Sequence, residues 1–328
     1  MLSFSKEETM QLKGVAIFLV LLGHCVPGFL PFAEVYVPIK RLVSQLGVEI
    51  FLIVSGIGVS LTYLNSPQRP VCFFVKRLVK LWPLYAFAMF FYYLVSIFVF
   101  HEDIGGKDLV SNLLWVQVFC NSQNEIYSAS HFFSVLLVVY LLSFLMMLVQ
   151  TRVWQCLVFL LSTVVFQMVC FQVYERFLFS DYIASFSLGL SLGLFICRDR
   201  KRIYSLFLLL NYVYCFFDAY DLLKATIGCV VFVLTLLTLK KISSLKGMDV
   251  ICTIGRNSYV IYLGHNYFLW KWPELLAMNN SFFVTGGIIL LATSVWLLVL
   301  LKVNFGFSRN VSPPVIKYLK EFHLCRVF

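Results

Sequence analysis

Apolar runs of about 15–22 residues, separated by short charged stretches, recur along the whole chain and constrain its fold more than any other feature. A run of that length reaches across the hydrocarbon core of a bilayer. Inside lipid every backbone amide and carbonyl needs a partner within the protein, so such runs fold as helices. They lie near 12–30, 43–64, 81–100, 130–149, 153–173, 182–197, 203–217, 222–239, 254–272 and 282–303. With 61% hydrophobic and 13% charged residues, the chain lies outside the usual range for soluble domains. The expected fold is all-α, a polytopic bundle of about ten transmembrane helices. No cleavage pattern precedes the first run, which is expected to stay as an anchor.

Basic residues orient the bundle, because short cytoplasmic loops accumulate Lys and Arg. Placing both termini in the cytoplasm leaves only Lys40, Arg41, Lys107, Arg176, Lys224 and Lys271 outside, out of 26 Lys and Arg. The net charge of +10 therefore follows from topology. Its cations are dispersed over many loops, which gives no reason to expect a nucleic-acid partner. The ten cysteines show no CxxC spacing and mostly lie in spans or at cytoplasmic ends, where reduced, packed thiols are expected. No metal-ligand cluster, phosphate loop or internal repeat is present in the sequence. The longest outer loop, 101–130, carries Glu102, Asp103, Asp108 and Glu125 and an amphipathic stretch over 113–119. It is long enough to cover a site opening outward.

His24 lies within the first apolar run, and an imidazole at bilayer depth is a functional-site candidate by default. Lys13 is three turns below it on the same helix face, about 16 Å away along the axis. Glu49 in the second run and His265 in the ninth fall at a similar height, with Ser55 a little deeper. A carboxyl group in a span is costly, about 2.5–3.5 kcal/mol on insertion scales. Glu49 is therefore expected to face the bundle interior and a partner, with His24 at the right height. His131 stands at the outer entrance of the fourth run. Lys76, Arg77 and Lys80 stand at the cytoplasmic entrance of the third, where topology anchoring and ligand binding are both open.

These residues form a recognisable order. Lys13-x10-His24, Glu49 with Ser55-Gly56, the Phe73-Phe74-x-Lys76-Arg77-x-x-Lys80-x-x-Pro83-x-Tyr85 entry and Gly255-x-x-Ser258-x-x-x-Tyr262-x-x-His265 together resemble acyltransferase family 3. The resemblance runs from about residue 8 to 305, so residues 1–305 are expected to form the transmembrane domain and 306–328 a short basic cytoplasmic tail. It implies transfer of an acyl group, usually acetyl from acetyl-CoA, to a hydroxyl of an envelope polysaccharide or lipid-linked sugar. It also implies a multi-pass place in the bacterial inner membrane. Carried over by motif, it assigns catalysis to His24, a supporting role to Lys13, and acyl-CoA contacts to Arg77 and Lys80, with Lys76 beside them. His265, Ser55, His131 and Ser258 become acceptor-side or supporting residues, and Glu49 joins the catalytic set as the partner expected for His24. The chain departs from the family in having Lys at positions 13 and 80, where Arg is frequent. It also has Phe132-Phe133 where a Trp is frequent.

The implied reaction suits the residues. A sugar hydroxyl must lose its proton during acyl transfer, and imidazole, with an ordinary pKa near 6.5, is suited to take it. Coenzyme A is a cytoplasmic polyphosphate, matching cations at the cytoplasmic end. No other cofactor is implied; acyl-CoA is a co-substrate, and membrane lipid surrounds the bundle. The main competing reading is a transporter or flippase for a glycan or lipid-linked sugar, with His24, Glu49 and His265 lining the path. The hydropathy pattern shows no inverted repeat and no pair of Pro-broken spans, which weighs against that reading.

Overall fold

A computed structural model describes residues 5–25, 33–65, 69–120, 126, 130–149, 151–174, 179–196, 219–242, 247–279 and 281–310. The expected run at 203–217, the basic loop at 198–202 and most of the expected tail lie outside these residues. The described residues form helices and connecting turns, with no strand among them. In chain order these are α1 (Lys6–Cys25), α2 (Ala33–Asn65), α3 (Pro70–Phe98), α4 (Gly106–Leu113), α5 (His131–Met147), α6 (Arg152–Tyr174) and α7 (Ser180–Ile196). Then follow α8 (Ala219–Ile242), α9 (Met248–Arg256), α10 (Ser258–Gly264), α11 (Tyr267–Trp270), α12 (Trp272–Asn279) and α13 (Phe282–Asn310).

Local sequence explains where several helices begin. Ser5 and Glu8 cap α1 reciprocally: the Ser5 amide donates to Glu8 Oε2 at 2.6 Å and the Glu8 amide to Ser5 Oγ at 3.0 Å. Pro70 opens α3, where its missing amide hydrogen costs nothing. Pro83 inside α3 interrupts the ladder, and the Tyr259 hydroxyl from α10 donates to the nearby Leu81 carbonyl at 2.5 Å. Neighbouring helices commonly supply such groups around a proline in a membrane helix.

Four helical segments are long and apolar enough to cross a membrane: Leu42–Tyr63, Pro70–Phe98, Trp154–Val173 and Val284–Gly306. A shorter apolar helix, His131–Met147, stands where the fourth run was expected. Large apolar side chains on α6, α8 and α13, such as Leu161, Leu234 and Leu290, are exposed, as a lipid-facing surface requires. The chain is an integral membrane protein. The run expected as one ninth span is instead broken, with turns at Asn257, at His265–Asn266 and at Lys271 separating α9 to α12. His265, Asn266 and Lys271 at the two later breaks are buried in the protein, the condition for broken helices at membrane depth.

Small residues let the inner helices approach closely. α2 packs most extensively on α7 and α1. A side chain at Gly56 would strike the Phe186 carbonyl, and one at Gly189 would strike that of Ile53, so the α2–α7 crossing depends on both glycines. α9 crosses the N-terminal half of α1 through Gly14 against Ile251 and Gly255 against Met10. Among the described cysteines Cys120, Cys156, Cys170 and Cys252 keep reduced thiols, whereas Cys72 is disulfide-bonded, so the expectation of reduced thiols does not extend to Cys72.

Two ion pairs join residues expected on the same side of the bundle. Lys240 Nζ lies 3.5 Å from Glu8 Oε1 at the end holding the N-terminus. At the other end Lys271, buried, pairs with Glu102 and lies over the Trp270 ring, 4.2 Å from its centroid. The absolute orientation yields a prediction from the same basic-residue asymmetry. In a cysteine-free background, Lys107→Cys should react with a membrane-impermeant thiol reagent in intact cells and Lys241→Cys should not. The opposite pattern would invert the bundle.

The described part of the 101–130 loop folds into the bundle. α4 and its following turn fold against the middle of α3, where the Trp82 indole donates to the Leu113 carbonyl at 2.9 Å and the Tyr85 hydroxyl to that of Asn112 at 3.0 Å.

Candidate active site

α1 and α10 bring two histidines together. The His24 and His265 rings lie edge to face, with centroids 5.1 Å apart and planes 72° apart. Each ring is fixed by its own helix: Nδ1 of His24 is 2.7 Å from the Val20 carbonyl and Nδ1 of His265 is 2.7 Å from that of Tyr262. A carbonyl only accepts, so this network assigns the ring proton to Nδ1 in both residues. When either ring is neutral, its lone pair is then on Nε2. Nε2 of His265 is buried and has no hydrogen-bond partner, although the residue is only 2% exposed. The helix break after Gly264 puts His265 at a C-terminal cap, where the chain turns inside the bundle.

The aromatic side chains around this pair form a continuous wall. Tyr262 is 5.5 Å from His265 and 5.0 Å from Phe132, ring centre to ring centre, and Phe133 stands 4.2 Å from Tyr85. Tyr92 donates its hydroxyl to the Leu263 carbonyl at 2.6 Å and accepts from the Trp296 indole at 2.7 Å, tying α3, α10 and α13 together. The sequence pattern marked Phe132-Phe133 only as a departure from the family and did not pick out Tyr85 or Tyr92 as parts of one wall. Nothing in helical periodicity separates such rings from ordinary core.

Below the histidines, Lys13 of α1 shares an electrostatic neighbourhood with Arg77 and Lys80 of α3. The Arg77 guanidinium lies over Phe73 and Tyr140, 5.4 and 5.7 Å from their centroids. Among the described residues no carboxylate forms an ion pair with any of these three cations. Three like charges with no acid among them repel one another and favour an anionic ligand. Lys13, expected to support His24, thus belongs with the cations one helix away. His24 stands about 16 Å further along the same helix. Lys76 is half-buried on the same turn of α3 as Arg77.

The remaining sequence candidates are more scattered. Glu49 is buried, and its carboxylate lies against Gly228 of α8, while the ring beside His24 is that of His265. Gly47, two residues earlier, faces Ala16 and Val20 of α1. Two residues turn a helix by about 200°, so Glu49 is carried round toward α8. Ser258 is buried at the start of α10, His131 is half-buried at the start of α5, and Ser55 is half-buried beside the α2–α7 crossing.

The family model Acyl_transf_3, an acyltransferase domain, matches residues 11–303, nearly the whole chain. No curated protein and no solved structure matches. The match spans every feature just described, from Lys13 at the foot of α1 through the α3 cations to His265 at the break after α10, and the chain belongs to acyltransferase family 3.

Proposed function

We propose that this membrane acyltransferase is an O-acyltransferase that takes acetyl from acetyl-CoA and places it on a hydroxyl of an envelope polysaccharide or lipid-linked sugar. The observation that carries the reading is a His24–His265 pair with Nδ1 of each ring on a carbonyl, above three cations with no acidic partner among the described residues. Phosphates of the acyl-CoA are held by Arg77, Lys80 and Lys13 through charge-assisted contacts. The thioester reaches toward the histidines along the α1 face.

His24 is the general base. Its Nε2 takes the proton of the acceptor hydroxyl as that oxygen attacks the thioester carbonyl carbon. A C–O bond forms, the C–S bond breaks, and the proton passes from His24 to the departing thiolate. His265 lies at the same level and lends its own Nε2 to hold the hydroxyl or a water. The Nδ1 bonds fix both rings in the tautomer this step needs. The proposed setting is the bacterial inner membrane, with acyl-CoA entering from the cytoplasmic face.

Mass analysis of the envelope glycans with and without the chain tests this reading. Loss of base-labile acetyl groups from one glycan on deletion is the expected result. Identical glycan masses would contradict it.

A further inference from the structure

α4 buries polar as well as apolar side chains. Leu109 and Leu113 pack against the core, Ser111 and Asn112 are buried beside them, and Val110 and, just past the helix, Leu114 are exposed. The Tyr85 hydroxyl donates to the Asn112 carbonyl, and the Tyr85 ring stands against those of Trp115 and Phe133, which also meet each other.

The turn that ends α4 is strained in a specific way. The Val116 amide donates to the Ser111 carbonyl at 2.9 Å and the Trp115 amide to that of Asn112 at 3.0 Å, a pattern that puts the inner donor, Trp115, in the left-handed region. Glycine is the inexpensive residue there, yet this chain has Trp115 at φ 63°. Its indole is 1% exposed, and Nε1 has no partner. Two more buried atoms of the same short stretch are also unpaired: Oδ1 of Asn112, in a residue 0% exposed, and Oε1 of Gln117, in a residue 4% exposed. Native structures rarely leave buried polar atoms unmatched, and three within six residues call for a ligand. Sparsely populated backbone held by its surroundings also gathers at binding sites.

The unmet groups specify the ligand's chemistry. One donor and two acceptors need a partner that both accepts and donates, and a hydroxyl does both. The flanking rings offer apolar faces, and Asn112, Gln117, Trp115, Tyr85 and Phe133 are all neutral. We propose that this inward face of the α4 turn is an acceptor subsite for a neutral, hydroxyl-bearing sugar ring. The wall continues from here to the reacting pair: Phe133 to Tyr262 at 6.1 Å, Tyr262 to His265 at 5.5 Å, and His265 to His24 at 5.1 Å. The subsite rests on the reading that those histidines act on an acceptor hydroxyl.

The test is retention of immobilised neutral glycans by purified full-length protein in detergent, comparing wild type with Trp115→Phe and Asn112→Leu. Free pantetheine and acetyl-CoA binding are measured on the same samples. Trp115→Phe removes a nitrogen with no partner among the described residues, whereas Asn112→Leu also removes the donation of Nδ2 to the Asp108 carbonyl within α4, at 2.9 Å, so folding of both is checked by thermal unfolding. Wild type should retain at least one glycan, and each variant should hold it about tenfold less well, the loss of one good hydrogen bond to a buried group. Acetyl-CoA binding should not change. Three results would each overturn the subsite: no glycan retained by wild type, unaltered retention by folded Trp115→Phe, or loss of pantetheine rather than glycan binding. Failure of the transferase reading looks different, since wild type would then bind the glycan but transfer no acetyl to it.

Discussion

His24→Gln should lower acyl-transfer turnover by about 10²–10⁴-fold, the usual contribution of a positioned general base, with membrane insertion unchanged. Glutamine keeps a polar side chain of similar reach but cannot take the proton. His24 Nδ1 bonds to its own helix at Val20, so its loss breaks no bond between helices through that atom. The comparison that makes this specific is His265→Gln. His265 lies beside His24 with its own lone-pair nitrogen unpartnered, so its loss should lower turnover less. A larger effect at His265 than at His24 would exchange their roles. Near-normal turnover in well-inserted His24→Gln would remove it from catalysis.

The second large effect is expected at the cation cluster. Replacing Arg77 and Lys80 together by Gln should weaken acyl-CoA binding by about 2–4 kcal/mol while leaving acceptor binding nearly unchanged, measured as equilibrium binding of labelled acyl-CoA. Gln is a better replacement than Ala because Arg77 also covers Phe73 and Tyr140, and truncation would remove packing as well as charge. Lys13→Gln should add to the loss, since Lys13 shares the field of the other two. Raising salt should weaken binding to the wild type more than to the triple variant. Unaltered affinity in the inserted double variant would reduce Arg77 and Lys80 to topology anchors.

Helix positions were largely legible in the sequence, because an apolar run of bilayer length has few other folds. α5, α6 and α7 begin and end within a few residues of the runs read from hydropathy, and α13 begins where its run does. The breaks around α10 were not legible, since Ser258 to Trp270 is a nearly unbroken apolar stretch and its turns are set by tertiary partners such as Tyr92. Height was legible and azimuth was not. Counting residues put His24, Glu49 and His265 at one level, but the glycines decide which faces meet, and Gly47 of α2, set against α1, leaves Glu49 toward Gly228. The motif order carried the family, and the family match over residues 11–303 agrees with it. The α4 turn was visible only as an amphipathic stretch, because a left-handed Trp115 has no signature in sequence.

The most direct test of the account is acetyl transfer by the purified protein alone. Reconstituted in liposomes and given radiolabelled acetyl-CoA on one side and the envelope glycan on the other, wild type should move label onto the glycan, and His24→Gln should not. Label remaining on coenzyme A with inserted wild type and the correct glycan present, or moving equally well in His24→Gln, would contradict it.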